Sequence, residues 1–236
     1  MRDTRLVLIK FKVRGNLRFL SHAETVKVFQ RACARAGIKI RYSQGFNPRP
    51  KLSLPLPRSV GIEVDDDLLY LRVNRDRENV PPDLNEPRVT NHESRIKAGL
   101  SGQLPQGCEL LSVSVAKENA SFQPSLAAYV LVVKQEYLDE DLKTTIKRLL
   151  ASESLNLQRR IDVKNSKFKT KNSELKNVDV RPFLKSIKLD NRNIAVECKI
   201  SSAGSIRVDE ILKLLELDVE KLEAPVRRTN VQWQKV

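Results

Sequence analysis

The fold of this 236-residue chain turns on Gly15–Pro57. Two clusters stand out there: Arg18-Phe19-Leu20-Ser21-His22 and Tyr42-Ser43-Gln44-Gly45-Phe46-Asn47-Pro48-Arg49-Pro50-Lys51. Ser21-His22-Ala23-Glu24 has the form of a capping box, with Ser21 as N-cap and Glu24 three residues on. The helix it opens runs to about Ala36 and stops at Gly37, the residue type that best tolerates a left-handed C-terminal turn. Val26, Phe29, Cys33 and Ala36 recur at helical spacing and face a core, while Lys27, Arg31 and Arg35 form a basic stripe elsewhere on the helix. Before the helix, Arg5–Val13 keeps Val7, Ile9, Phe11 and Val13 on one face, as a strand does, and Arg14-Gly15-Asn16 turns the chain. After it, Ile38–Tyr42 reads as a second strand; Gly45 permits a positive φ, and Pro48 and Pro50 exclude a regular central strand. Pairing of the two strands would bring the two clusters together.

Working outward, Leu52-Ser53-Leu54 starts another extended segment, Asp65-Asp66-Asp67 reads as a solvated turn, and Leu68–Val73 as a strand. Asn74–His92 is polar and proline-bearing and reads as mostly loop, followed by a short helix near Glu93–Leu100 and a strand over Glu109–Ala116. That order, βαββαβ, is the ferredoxin-like one. Lys117–Pro124 is a linker candidate. Beyond it come a strand over Ala127–Gln135, a helix over Asp139–Ala151 with Leu142, Ile146, Leu149 and Leu150 inward, and an extended Leu155–Val163. Two strands follow, Val178–Leu189 and Asn193–Ser201, joined by the turn Asp190-Asn191-Arg192-Asn193. A helix over Arg207–Leu217, with Ile211, Leu214 and Leu215 inward, precedes a last strand over Val226–Trp233, whose Trp233 closes the second core. The expected fold is α+β, two ferredoxin-like halves in tandem: 1–118, carrying the two clusters, and 125–236, with a mobile Lys/Asn-rich loop at 164–176.

The net charge is +14, and its placement matters more than its size. Residues 1–58 hold fourteen Lys and Arg against Asp3 and Glu24, a net +12. A basic field confined to one part of a chain calls for a polyanionic partner. Arg2, Asp3 and Arg5 precede only four apolar residues, Leu6–Ile9, which is no signal peptide, and no apolar run approaches the ~20 residues of a membrane span. A cytoplasmic protein without a membrane partner is expected. Cys33, Cys108 and Cys198 are too scattered for a zinc site, a disulfide framework or an iron–sulfur cluster, and read as buried thiols; no metal or cofactor is read from the sequence.

The two clusters resemble the signature of the radical-SAM-linked protein family, a bacterial domain that occurs alone, fused to radical SAM enzymes or encoded beside them. Leu54-Pro55-Leu56-Pro57 with Val60-Gly61, Val178-Asp179-Val180-Arg181-Pro182, Gly204-Ser205-Ile206-Arg207 with Glu210-Ile211-Leu212, and Arg228-Thr229 extend the resemblance over nearly the whole chain. It implies a radical SAM enzyme as partner. The chain has no cysteine cluster of its own and is not such an enzyme. Two positions depart from the pattern: Ala23-Glu24 stands where the family has an Asp after the first cluster, and Arg49 where it often has a second His.

Taken residue by residue, Arg18, Lys27, Arg31, Arg35, Arg49 and Lys51 are candidates for phosphate binding, and Phe46 for stacking on a base. Phe19 and Tyr42 read as core. Ser21, Gln44, Gly45 and Asn47 read as bracing the loop. His22, beside Arg18 and Lys51, is the candidate general base of a metal-independent ribonuclease, or else a brace for the Gly45–Lys51 loop. The leading expectation is a non-catalytic RNA-binding accessory module acting with a radical SAM enzyme in RNA or ribonucleoprotein modification. The alternatives are a protein-docking module without RNA contact and the endoribonuclease.

Overall fold

A computed structural model describes residues 4–74, 88–163 and 172–235. The protein is α+β and packs as two compact units, residues 1–125 with 226–236, and residues 126–225. The C-terminal strand thus belongs to the first unit, with Trp233 on it, rather than to the second. No described helix is long and apolar enough to cross a membrane.

In the first unit β1 (Thr4–Val13) is the central strand, antiparallel to both β3 (Glu63–Asn74) and β4 (Cys108–Ala116). The other edge of β3 carries two short partners. β2 (Leu52–Ser53) pairs antiparallel with Tyr70 and Leu71, and β10 (Arg227–Lys235) runs parallel at Glu63 and Val64. Alternation places Val7, Ile9, Phe11 and Val13 on one face of β1, as expected. Onto that face pack Phe29, Ala32 and Cys33 of α1 (His22–Arg35) and Ile96 and Leu100 of α2 (Arg88–Ser101). Phe11 and Phe29 meet edge to face with ring centroids 4.7 Å apart. Val26 and Ala36 pack at the margin of this core. Capping of α1 follows the sequence: the Ser21 hydroxyl accepts from the Glu24 amide, and the Glu24 carboxylate accepts from the Ser21 amide at 2.8 Å. Such a cap is worth about 1 kcal/mol. Beyond Ala36, Gly37 takes φ +68, the left-handed value that ends the helix.

Several sequence expectations are corrected. Ile38–Tyr42 forms only isolated bridges, Ile40 with Val73 and Tyr42 with Pro50, because the prolines interrupt the ladder. Asp65-Asp66-Asp67 lies inside β3 and is no turn. Each carboxylate there meets a cation from another strand or turn: Asp65 meets Arg14 and Arg227, Asp66 meets Lys10 at 2.8 Å, and Asp67 meets Arg228 at 2.7 Å. Pairing at long sequence separation removes the repulsion that makes three adjacent acids look like a turn. α2 begins at Arg88, inside the segment read as loop; residues 75–87 of that segment lie outside the described residues. Gly107, at φ +92, has no room for a Cβ, which would fall 2.6 Å from the Arg14 carbonyl, and its own carbonyl accepts from the Arg14 amide.

In the second unit β9 (Asn193–Lys199) pairs antiparallel with β5 (Phe122–Val132) and β8 (Leu184–Asp190). Asn191 takes φ +51 in the β8–β9 turn. α3 (Glu140–Ala151) is capped by Asp139 and buries Leu142, Thr145, Ile146 and Leu149, whereas Leu150, expected inward, is exposed. α4 (Val208–Leu214) is shorter than expected and buries Ile211. β6 (Asn156–Val163) and β7 (Asn172–Asp179) form a separate hairpin, so 172–176 is strand rather than loop; 164–171 lies outside the described residues. Arg181 clasps this unit: its guanidinium donates to the carbonyls of Ser152, Leu184 and Leu150, and Asp179 accepts from the amides of Leu155 and Arg181.

Candidate nucleic-acid interface

All the candidate site residues fall in the first unit, but the two sequence clusters do not meet. The strand register fixes this. Arg18-Phe19-Leu20-Ser21-His22 follows Val13, which pairs with Val64 and Cys108 at one end of the sheet. At the other end, the Lys51 carbonyl accepts from the Arg72 amide, opposite Leu6, and the Arg41 guanidinium reaches the Thr4 hydroxyl. From Leu6 to Val13 the strand rises roughly 20 Å. The sequence expectation failed because Ile38–Tyr42 enters the sheet at the start of β1, after α1 has carried the chain back from its end.

The first cluster is a turn held from beneath. Gly15–Phe19 forms a 3-10 turn, and its Leu17 and Arg18 carbonyls point to one buried cation, Arg58. Its guanidinium donates to the carbonyls of Arg18 (2.8 Å), Ile62 (3.0 Å), Leu17 and Leu20 (each 3.2 Å) and to the Thr25 hydroxyl (3.3 Å). The Gly61 amide adds a bond to the Arg18 carbonyl at 2.8 Å. Burial holds the Arg58 pKa below its ordinary value, with Asp67 opposing, and pushes the nearby Cys108 thiol up to about 12. Arg228 donates to the Pro57 carbonyl as well as to Asp67, so positions of the family resemblance at Pro57, Gly61 and Arg228 converge on the underside of the first cluster. The sequence reading leaves Arg58 unmarked and takes Asp67 as part of a solvated turn. The one available signal is an arginine closing the apolar, proline-bearing run Leu54–Pro57.

On the outer side, Arg18 donates to the Gly15 carbonyl at 3.0 Å and lies 4.3 Å over the Phe19 ring. Phe19, expected in the core, is 55% exposed. His22 is exposed at the first position of α1, and among the described residues it braces nothing in the Gly45–Lys51 loop. Ser21 caps the helix and does not touch that loop either. With Lys51 at the far end of β1, His22 has no cation from the second cluster to share a reaction with.

The second cluster is a loop with a closed neck. The Ser43 amide donates to the Arg49 carbonyl at 2.7 Å, and the Arg49 amide donates to the Ser43 hydroxyl at 2.8 Å. Bracing therefore comes from Ser43, whereas Gln44 and Asn47 are exposed. Gly45 takes φ +132, a conformation that side-chain-bearing residues rarely adopt. Phe46 is 102% exposed at the loop's apex and Tyr42, expected in the core, is 55% exposed at its neck.

Between the clusters, Lys27, Arg31 and Arg35 line the exposed face of α1. Arg35 donates to the Gln103 carbonyl at 2.8 Å, and Lys27 lies near Glu24. Two groups of cations stand out in the basic segment. Lys10, Lys12, Arg14 and Arg41 are matched to Asp66, Glu109, Asp65 and Glu118. Arg18, Arg31, Arg35, Arg49 and Lys51 have no carboxylate partner among the described residues.

No curated protein matches this chain. Among solved structures, the acetolactate synthase small subunit from Thermotoga maritima aligns over 99% of this chain and 98% of its own, at 12% identity and a TM-score of 0.20. Pro57 and Gly61 beside Arg58, and the clasp at Arg181, fall within the span of one family model, which ends before Arg228, and over residues 6–212 the chain belongs to DUF2344, described as an uncharacterized protein conserved in bacteria.

Proposed function

We propose that the protein is a non-catalytic RNA-binding module whose contact surface is the exposed face of α1 together with the Tyr42–Lys51 loop. The observation that carries this reading is the division of the cations: Lys10 and Lys12 on β1 are neutralised by acids, whereas Lys27, Arg31 and Arg35 on α1 and Arg49 on the loop face solvent. Unneutralised cations in a row attract a phosphate backbone and release its counterions on binding. RNA or a ribonucleoprotein is the ligand class, and the resemblance in the signature clusters adds a radical SAM modifying enzyme as partner. A finer reading of the fold accompanies it. The first unit's order β4-β1-β3, with β2 on the outer edge of β3, supports reading it as a ferredoxin-like domain. With the β6–β7 hairpin set aside, the chain order β5, α3, β8, β9, α4 supports a second βαββαβ succession, with β10, which packs with the first unit, in the last place.

The test is the salt dependence of binding to structured RNA. Affinity should fall steeply with salt, and charge reversal at Arg31 and Arg35 should lower the slope by about 0.7–0.9 for each phosphate that the variant no longer neutralises. Absence of RNA binding at low salt would overturn the reading. A protein-docking role without RNA contact is the second reading, favoured by the exposure of Phe19 and Val60, which the Gly61–Arg18 hydrogen bond holds at one end of the unit. Under it, capture of the radical SAM enzyme would survive reversal at Arg31 and Arg35.

A further inference from the structure

We infer that the RNA is unpaired where it meets the Tyr42–Lys51 loop, with a base stacked on Phe46 and the adjoining backbone led along α1; this rests on the RNA-binding reading above. Phe46 buries no surface in the fold, so packing gives no reason for a phenyl ring at that position. The ring is nonetheless presented on a defined support. The Tyr42–Pro50 bridge and the two Ser43–Arg49 bonds close the neck of the loop, and Gly45 supplies the positive φ its path requires. Cations flank the aromatics on the same loop: Arg49 is exposed and Lys51 half-buried, beside Phe46 at the apex and Tyr42 at the neck. Aromatic faces interleaved with cations fit single-stranded nucleic acid, whose bases offer free π-faces while its phosphates meet the charges. A paired A-form stem offers neither: its bases are stacked on each other, and its major groove is too deep and narrow for side chains.

The second part of the ligand follows from α1. Lys27, Arg31 and Arg35 repeat every four residues, a rise of about 6 Å between successive cations. They form a row rather than a point, and Ile38–Tyr42 carries the chain from the end of that row into the loop. A mononucleotide meets one of these features; an RNA chain meets both. Arg18 and His22 lie at the opposite end of α1 and are outside the stacking site.

The experiment uses the full chain and three RNA probes at low salt: an oligouridine single strand, a stem–loop, and the same stem as a blunt duplex. Phe46→Ala should weaken binding of the single strand and the stem–loop roughly tenfold and leave the duplex unchanged. Phe46→Trp should restore the lost affinity, and thermal stability should be the same in all three proteins because the ring is fully exposed. If wild type binds RNA but Phe46→Ala changes no probe, or weakens the duplex as much as the others, the inference fails while RNA binding stands. If wild type binds none of the probes, both fail together.

Discussion

Arg228 and Asp67 form an ion pair 2.7 Å long in which the two side chains are 1% and 3% exposed. It joins the C-terminal strand to the middle of β3 across 161 residues of chain. Burial pushes the Asp67 carboxyl above its ordinary value, and Arg228, the Leu68 amide and Arg58 oppose that shift. Removing one partner of such a pair strands the other in a dry site. Arg228→Met should therefore cost about 3–5 kcal/mol of stability. Removing both, as Asp67→Leu with Arg228→Met, should cost less than the sum of the single changes. Denaturant unfolding of the four proteins measures this; additive losses would mean that the pair is not coupled.

Arg58 offers a sharper test of geometry. Four carbonyls and one hydroxyl share its guanidinium, spread over the turn before α1, its first turn and the approach to β3. Arg58→Met leaves those acceptors without donors and should destabilise the protein by about 2–4 kcal/mol. Arg58→Lys should recover little, because an ammonium is a single point of charge and cannot reproduce a planar fork. Equal stability of the Lys variant and wild type would contradict this account.

In the second unit Arg159 grips Glu210 in a two-pronged pair, Nε to Oε1 at 2.6 Å and Nη2 to Oε2 at 2.7 Å. Burial raises the Glu210 pKa, but the bonds from Arg159 and from the Arg207 amide outweigh it and hold the carboxyl below its ordinary range. A depressed carboxylate contributes stability above its unfolded pKa, about 4.3, and loses it as pH falls through the lower folded value. Glu210→Gln should thus be least stable relative to wild type above about pH 5, with the gap closing toward pH 3. A gap that stays constant across that range would show the pair carries no proton linkage.

His22 is exposed, and no described residue of the second cluster is near it. His22→Ala should shift stability by no more than about 0.5 kcal/mol, as expected of an exposed side chain that makes none of the cap's hydrogen bonds. It should also leave RNA affinity nearly unchanged, and the wild-type protein should release no cyclic-phosphate ends from RNA in EDTA. EDTA-resistant cleavage that disappears in His22→Ala would restore the endoribonuclease reading.

What could be read from the sequence was what lies within a few residues of itself. The α1 capping box, the Gly37 stop, the buried stripe through Phe29 and Cys33, the alternation of β1 and the turn at Asn191 all rest on local spacing, and the structure has them where the pattern placed them. The exposed stripe of Lys27, Arg31 and Arg35 belongs to the same class, since a helix fixes both of its faces at once. Only the tertiary structure decided which charges are free. Asp65-Asp66-Asp67 became a strand because Arg14, Lys10 and Arg228 arrive from elsewhere in the chain, and an ion pair leaves no local signal. It also decided that the two clusters stand at opposite ends of β1. Two motifs on neighbouring elements meet or part according to the direction in which each element enters the sheet. That direction is set by where α1 delivers the chain, so no spacing within either motif records it.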